Sequence, residues 1–133
     1  MIPFLEKSQK LVAINVGGDK NINSEYFRLI VEALDGGFIR MLRSGGCAID
    51  NISALEQCIL PHLEVLNLEN NYIESIPSLE EYTNLIELSL KVNNTGMEGC
   101  RSLILLLEST HLTDLFLVLM TLATTRLQYL PMP

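Results

Sequence analysis

Apolar residues recur along the chain in a fixed frame. Leu63, Leu66 and Leu68 alternate with polar neighbours and are followed by Asn71 and Ile73, and Leu85, Leu88, Leu90 and Asn93 restate the same order. Upstream, Ile39, Leu42, Cys47 and Ile49 take equivalent places, followed by Ile52 and Leu55; earlier still come Leu11, Ile14, Val16, Asp19 and Ile22. Downstream, Leu112, Leu115, Leu117 and Leu122 fit, with Met120 where Asn is expected. The copies start near 11, 39, 63, 85 and 112, which are steps of 28, 24, 22 and 27 residues. A pattern at this period marks stacked units, each too small to bury its own apolar side. Within a copy, the first, fourth and sixth places are expected on the inside of a short strand and its approach. About five short strands in parallel are predicted.

The segments between strands differ in length and pattern. Ser24 to Leu34 reads as a helix, with Ser24 as N-cap, Tyr26, Leu29, Ile30, Ala33 and Leu34 toward the core, and Gly36 or Gly37 as its stop. Leu103, Leu106 and Leu107 give a second helical spacing. After Asn71 the return is compact, with Ile73, Ile76, Leu79 and Tyr82 at three-residue steps. Gly17-Gly18 and Gly45-Gly46 occupy equivalent places and read as turns leaving a strand. They lack the spacing of a phosphate-binding loop. At the ninth place, Asn71 and Asn93 are expected to turn inward and satisfy backbone groups, with Cys47 and Asp19 in the same column. Met1–Lys10 is expected to cover one end through Ile2, Phe4 and Leu5, while Thr124–Pro133 offers little closure at the other.

The frame, above all Leu63 to Ile73 and Leu85 to Asn93, resembles that of leucine-rich-repeat proteins over about residues 11–122. The compact return is similar to the SDS-type repeats of phosphatase regulators, and the helix-bearing segments to ribonuclease-inhibitor-type repeats. The resemblance implies an α/β fold, a single domain over 1–133. It would be a solenoid with a parallel concave sheet and helices or turns on the convex side. It also implies that Cys is an accepted occupant of the ninth place, and that partners dock on the outward strand places. Here those are Arg40, Met41 and Arg43; Glu64, Val65, Asn67 and Glu69; Ile86, Glu87, Ser89 and Lys91; and Thr113, Asp114, Phe116 and Val118. The expected function is non-enzymatic binding of a protein partner through the concave face, as a regulatory or targeting subunit. The alternative is a fragment of a longer repeat protein, which would self-associate through its C-terminal end.

Composition narrows the rest. The 133 residues are 48% hydrophobic, which excludes a disordered chain. A formal charge of −7 with only nine Lys and Arg speaks against nucleic acid, which requires clustered cations. Cys47, Cys58 and Cys100 form neither a disulfide framework nor a metal-type spacing, so a reducing compartment is expected, cytoplasm or nucleus. The first ten residues lack a signal-peptide core. Glu108, His111 and Asp114 break the apolar stretch Leu103–Ala123, so no membrane span is expected. The Asn51 and Asn93 sequons carry meaning only in a secreted chain. His62 and His111 are read as solvent-facing connectors, and no nucleophile stands beside a base, so no enzyme, metal or cofactor is expected.

Overall fold

The structure, a computed structural model, describes residues 11–109. Four strands, β1 (Ala13–Asn15), β2 (Met41–Arg43), β3 (Val65–Asn67) and β4 (Glu87–Ser89), form one parallel sheet in chain order. Ala13 pairs with Met41, Met41 with Val65, and Val65 with Glu87, which are steps of 28, 24 and 22 residues. Each strand therefore lies where the frame puts it, two places after the copy's first apolar residue. The fifth expected strand, the N-terminal cover and the C-terminal tail lie outside the described residues.

The same backbone bonds are made at every step. Arg40 and Met41 N–H share the Val12 carbonyl, Glu64 and Val65 share Arg40's, and Ile86 and Glu87 share Glu64's, at 2.8–3.1 Å. Beyond the paired residues, Val16 N–H donates to Arg43, Ser44 to Asn67 and Leu68 to Ser89 (2.9, 2.9 and 2.8 Å). Two successive donors on one acceptor place both the second and third residues of the frame outward, which simple alternation would forbid.

Asparagine completes the stack. Asn71 Nδ2 donates to the carbonyls of Ser44 (3.0 Å), Leu68 (3.0 Å) and Glu69 (3.2 Å), and its Oδ1 accepts from Ile49 N–H at 3.1 Å. Asn93 repeats this with Leu68, Leu90, Lys91 and Ile73 N–H. Cys47 keeps part of the set, its thiol donating to Val16 and Gly45 carbonyls at 3.4 and 3.7 Å. An amide oxygen at 47 would have served Asn21 N–H, but Asp19 Oδ1 already accepts from it at 2.9 Å. A donor alone therefore suffices at Cys47. Asp19 corrects the expectation for its own place: it is exposed and serves this local turn instead of a buried column.

Helix α1 (Ser24–Leu34) has the expected bounds, but its cap and its phase differ. Asn23 is the N-cap, its Oδ1 accepting from Tyr26 N–H at 3.0 Å. Ser24 is used elsewhere: its hydroxyl accepts from Asp50 and Asn51 N–H, both at 2.9 Å, and donates to the Asp50 carboxylate. The buried stripe is Phe27, Ile30, Val31 and Leu34, whereas Tyr26 is 47% exposed and Leu29 only half-buried. Both stripes are apolar; the chosen one buries the aromatic ring without a hydroxyl to satisfy. Gly36, at φ +76°, ends the helix and donates to Ile59 O at 2.7 Å.

The short α2 (Ala54–Gln57) follows β2, and α3 (Gly96–Ser109) follows β4 and contains the expected second helix. One core joins these layers, from Phe27 and Ile30 through Leu42, Leu66 and Leu88 to Leu103. Buried Tyr82 donates its hydroxyl to the Leu55 carbonyl, and burial pushes the phenol far above its ordinary range, so it stays a donor.

Two places carry a local cost. Ser44 stands at the sixth place, where the neighbouring copies have Val16 and Leu68, and its hydroxyl is buried without a hydrogen-bond partner among the described residues. Ser44→Ala is expected to raise stability by about 1 kcal/mol, because the desolvation cost of the hydroxyl disappears; the urea midpoint checks this. The residues closing each strand turn, Gly18, Gly46, Asn70 and Val92, all have positive φ (85°, 67°, 58° and 56°). A β-branched residue is strained there. Val92 is exposed, so Val92→Gly loses little packing. It is expected to stabilise by about 1 kcal/mol, read as a higher thermal midpoint.

Candidate functional site

The side of the sheet opposite Leu42, Leu66 and Leu88 collects the second, third, fifth and seventh places of every copy. Register alignment makes these into rows across the strands. Val12, Arg40, Glu64 and Ile86 form one row, Ala13, Met41, Val65 and Glu87 the next, then Asn15, Arg43, Asn67 and Ser89, and finally Gly17, Gly45, Glu69 and Lys91.

Most of the expected surface is accessible: Arg40, Met41 and Ile86 are exposed, and Arg43, Glu64, Asn67, Glu69, Glu87 and Lys91 are half-buried. Two expected contact residues are not. Val65 is 7% exposed and Ser89 2%. Val65 is a short side chain between Met41 and Glu87 on the flanking strands, and Ser89 lies under Glu69, whose Oε2 accepts its hydroxyl at 2.9 Å. They form the floor of the surface and not its contact points. Asp114 and Phe116, with Thr113 and Val118, lie outside the described residues.

Charges on this face are unevenly committed. Arg40 pairs with Glu64 at 3.1 Å across adjacent strands, an exposed bridge that adds little stability. The Arg43 guanidinium donates to the Met41 sulfur at 4.0 Å and makes no ion pair among the described residues. Glu87 and Lys91 likewise have no ion pair there. Apolar Met41 and Ile86 flank the charged residues, so the face offers both anchors and polar partners.

The sequence reading omitted the part of this face contributed by β1, including exposed Asn15, although the same frame places identify it. It also missed a contact between connectors. Phe38 and His62, one place before the first apolar residue of their copies, stack with ring centroids 5.2 Å apart. His62 is solvent-facing as expected, but it leans on an aromatic neighbour that the 24-residue step brings alongside.

Other chemistry on the molecule is sparse. A cleft of about 330 Å³ between the segments following β2 and β3 is lined by Asp50, Asn51, Ser53, Glu56, Glu74, Ser75 and Pro77. Its lining is acidic. Among the described residues, no group of three or more His, Cys, Asp or Glu is placed to hold a metal, and no helix is long and apolar enough to cross a membrane. Burial raises both the Cys47 and Cys58 thiols above their ordinary pKa, the opposite of what a reactive thiolate needs.

No protein-family model, curated protein or solved structure matches the chain.

Proposed function

We propose that the chain is a leucine-rich-repeat solenoid acting as a non-enzymatic protein-interaction module, with the outer face of its sheet as the docking surface. The observation that carries this is the row structure of that face. Parallel strands in chain order, held in register by the same bonds at every step, align outward side chains from well-separated segments into one surface. The Asn71 and Asn93 bonds support the repeat reading, because each ties its own turn to the copy before it. Apolar Met41 and Ile86, set among charged residues, supply the mixed chemistry of a protein interface. A regulatory or targeting subunit is the form of this function favoured by the compact return between β3 and β4.

Photo-crosslinking tests the reading. A photoreactive phenylalanine analogue placed at Met41 or Ile86 is expected to form protein adducts in cell extract, and the same analogue at Tyr26 on α1 is not. Adducts from position 26 alone, or equal yields from all three, would contradict docking on the sheet.

A further inference from the structure

Resting on the reading of the sheet face as a docking surface, we infer that the row Asn15, Arg43 and Asn67 recognises an acidic, extended segment of a partner protein. The three residues are direct register partners on β1, β2 and β3. Asn15 Oδ1 accepts from Gly17 N–H at 2.9 Å and Asn67 Oδ1 from Glu69 N–H at 3.1 Å. A backbone N–H can be met only by the amide oxygen, so both carboxamides are oriented by their own turns. Each oxygen accepts one turn bond, and the NH2 groups make no hydrogen bond among the described residues. Between them stands Arg43, which has donors only and no carboxylate partner among the described residues. Three neighbouring side chains thus present unused N–H donors side by side.

The surroundings keep this row open. The next row begins with Gly17 and Gly45, where a Cβ would come within 3.1 Å of the very amide oxygens that make these turns. Glycine at 17 and 45 leaves room for these amide oxygens, and at Gly45 also for the neighbouring Glu69 side chain. Of the carboxylates on this face, Glu64 pairs with Arg40, Glu69 accepts the Ser89 hydroxyl and keeps its charge, and Glu87 stands two strands away from Arg43. Strands lie about 4.8 Å apart, so the row spans about 10 Å, matched by roughly three residues of an extended chain crossing the strands. A carboxylate over Arg43 gains a bidentate, charge-assisted pair, with the flanking amides donating to adjacent carbonyls or to a second carboxylate.

Selection of linear peptides from a random displayed library against the intact protein tests this, with affinities of the resynthesised peptides measured on variants. Asn67→Asp keeps the oxygen that holds the turn and replaces the donor by a repelling carboxylate. Arg43→Gln removes the charge, and Arg28→Gln on α1 controls for net charge. The expected result is peptides enriched in Asp and Glu whose affinity falls about tenfold or more with Arg43→Gln and with Asn67→Asp, but not with Arg28→Gln. Peptides without acidic enrichment that ignore Arg43→Gln, yet are lost with Met41→Glu or Ile86→Glu, would overturn the acidic-partner inference and leave sheet docking intact. Peptides insensitive to every one of these sheet variants would overturn both.

Discussion

Phe27→Ala is expected to destabilise the protein by about 3–5 kcal/mol, whereas Tyr26→Ala, one residue away, costs less than about 1 kcal/mol. Phe27 is completely buried at the centre of the α1 stripe, in one core with Ile30, Val31, Leu42 and Leu66. Truncation there removes an aromatic ring and leaves a cavity in a layer that the sheet on one side and the helix backbone on the other cannot readily close. Tyr26 leaves nearly half its surface in water and has little to lose. Urea unfolding of the two variants gives the comparison directly, and equal costs would mean that the helix lies in the other phase.

Asn71→Leu is expected to cost about 3 kcal/mol or more, despite adding apolar volume to an apolar layer. The amide serves three carbonyls and one N–H, in two successive copies of the frame. Leucine leaves Ile49 N–H and the Ser44 carbonyl buried without these bonds, each at about 1–3 kcal/mol before any relaxation. Two readouts separate this from simple overpacking. The urea midpoint falls, and the Ile49 amide loses its hydrogen-exchange protection while the Ile73 amide, held by Asn93, keeps its own. Parallel loss at both amides would point to global unfolding instead.

Strand position was the most legible feature. The spacing of Leu11, Ile39, Leu63 and Leu85 places all four strands, because side-chain alternation tolerates no slip when one face is buried. The inward role of Asn71 and Asn93 was legible for the same reason. The phase of α1 was not, since Tyr26, Phe27, Leu29, Ile30, Val31 and Leu34 supply two apolar stripes and periodicity cannot choose between them. Nor was its cap: Asn23 and Ser24 are both good N-cap residues, and the choice follows from Ser24 binding Asp50 and Asn51, a contact across 26 and 27 residues. On the outer face, the frame identified the rows but not their depth. Burial of Val65 and Ser89 depends on side chains from other strands and on Glu69, which a single copy of the frame does not reveal. Gly17-Gly18 and Gly45-Gly46 announced a turn, whereas Val92 at the equivalent place gave no signal, being the wrong residue type for the positive φ it adopts.

The position of every outward residue, and so the proposed docking surface, depends on strand register. Scalar couplings across hydrogen bonds in the isotope-labelled protein report that register directly. The account predicts correlations from Val16 N to the Arg43 carbonyl carbon, from Ser44 N to that of Asn67, and from Leu68 N to that of Ser89. Correlations displaced by one residue would turn Leu42 and Leu66 outward and Arg43 and Asn67 into the core, and would contradict the fold and the proposed face together.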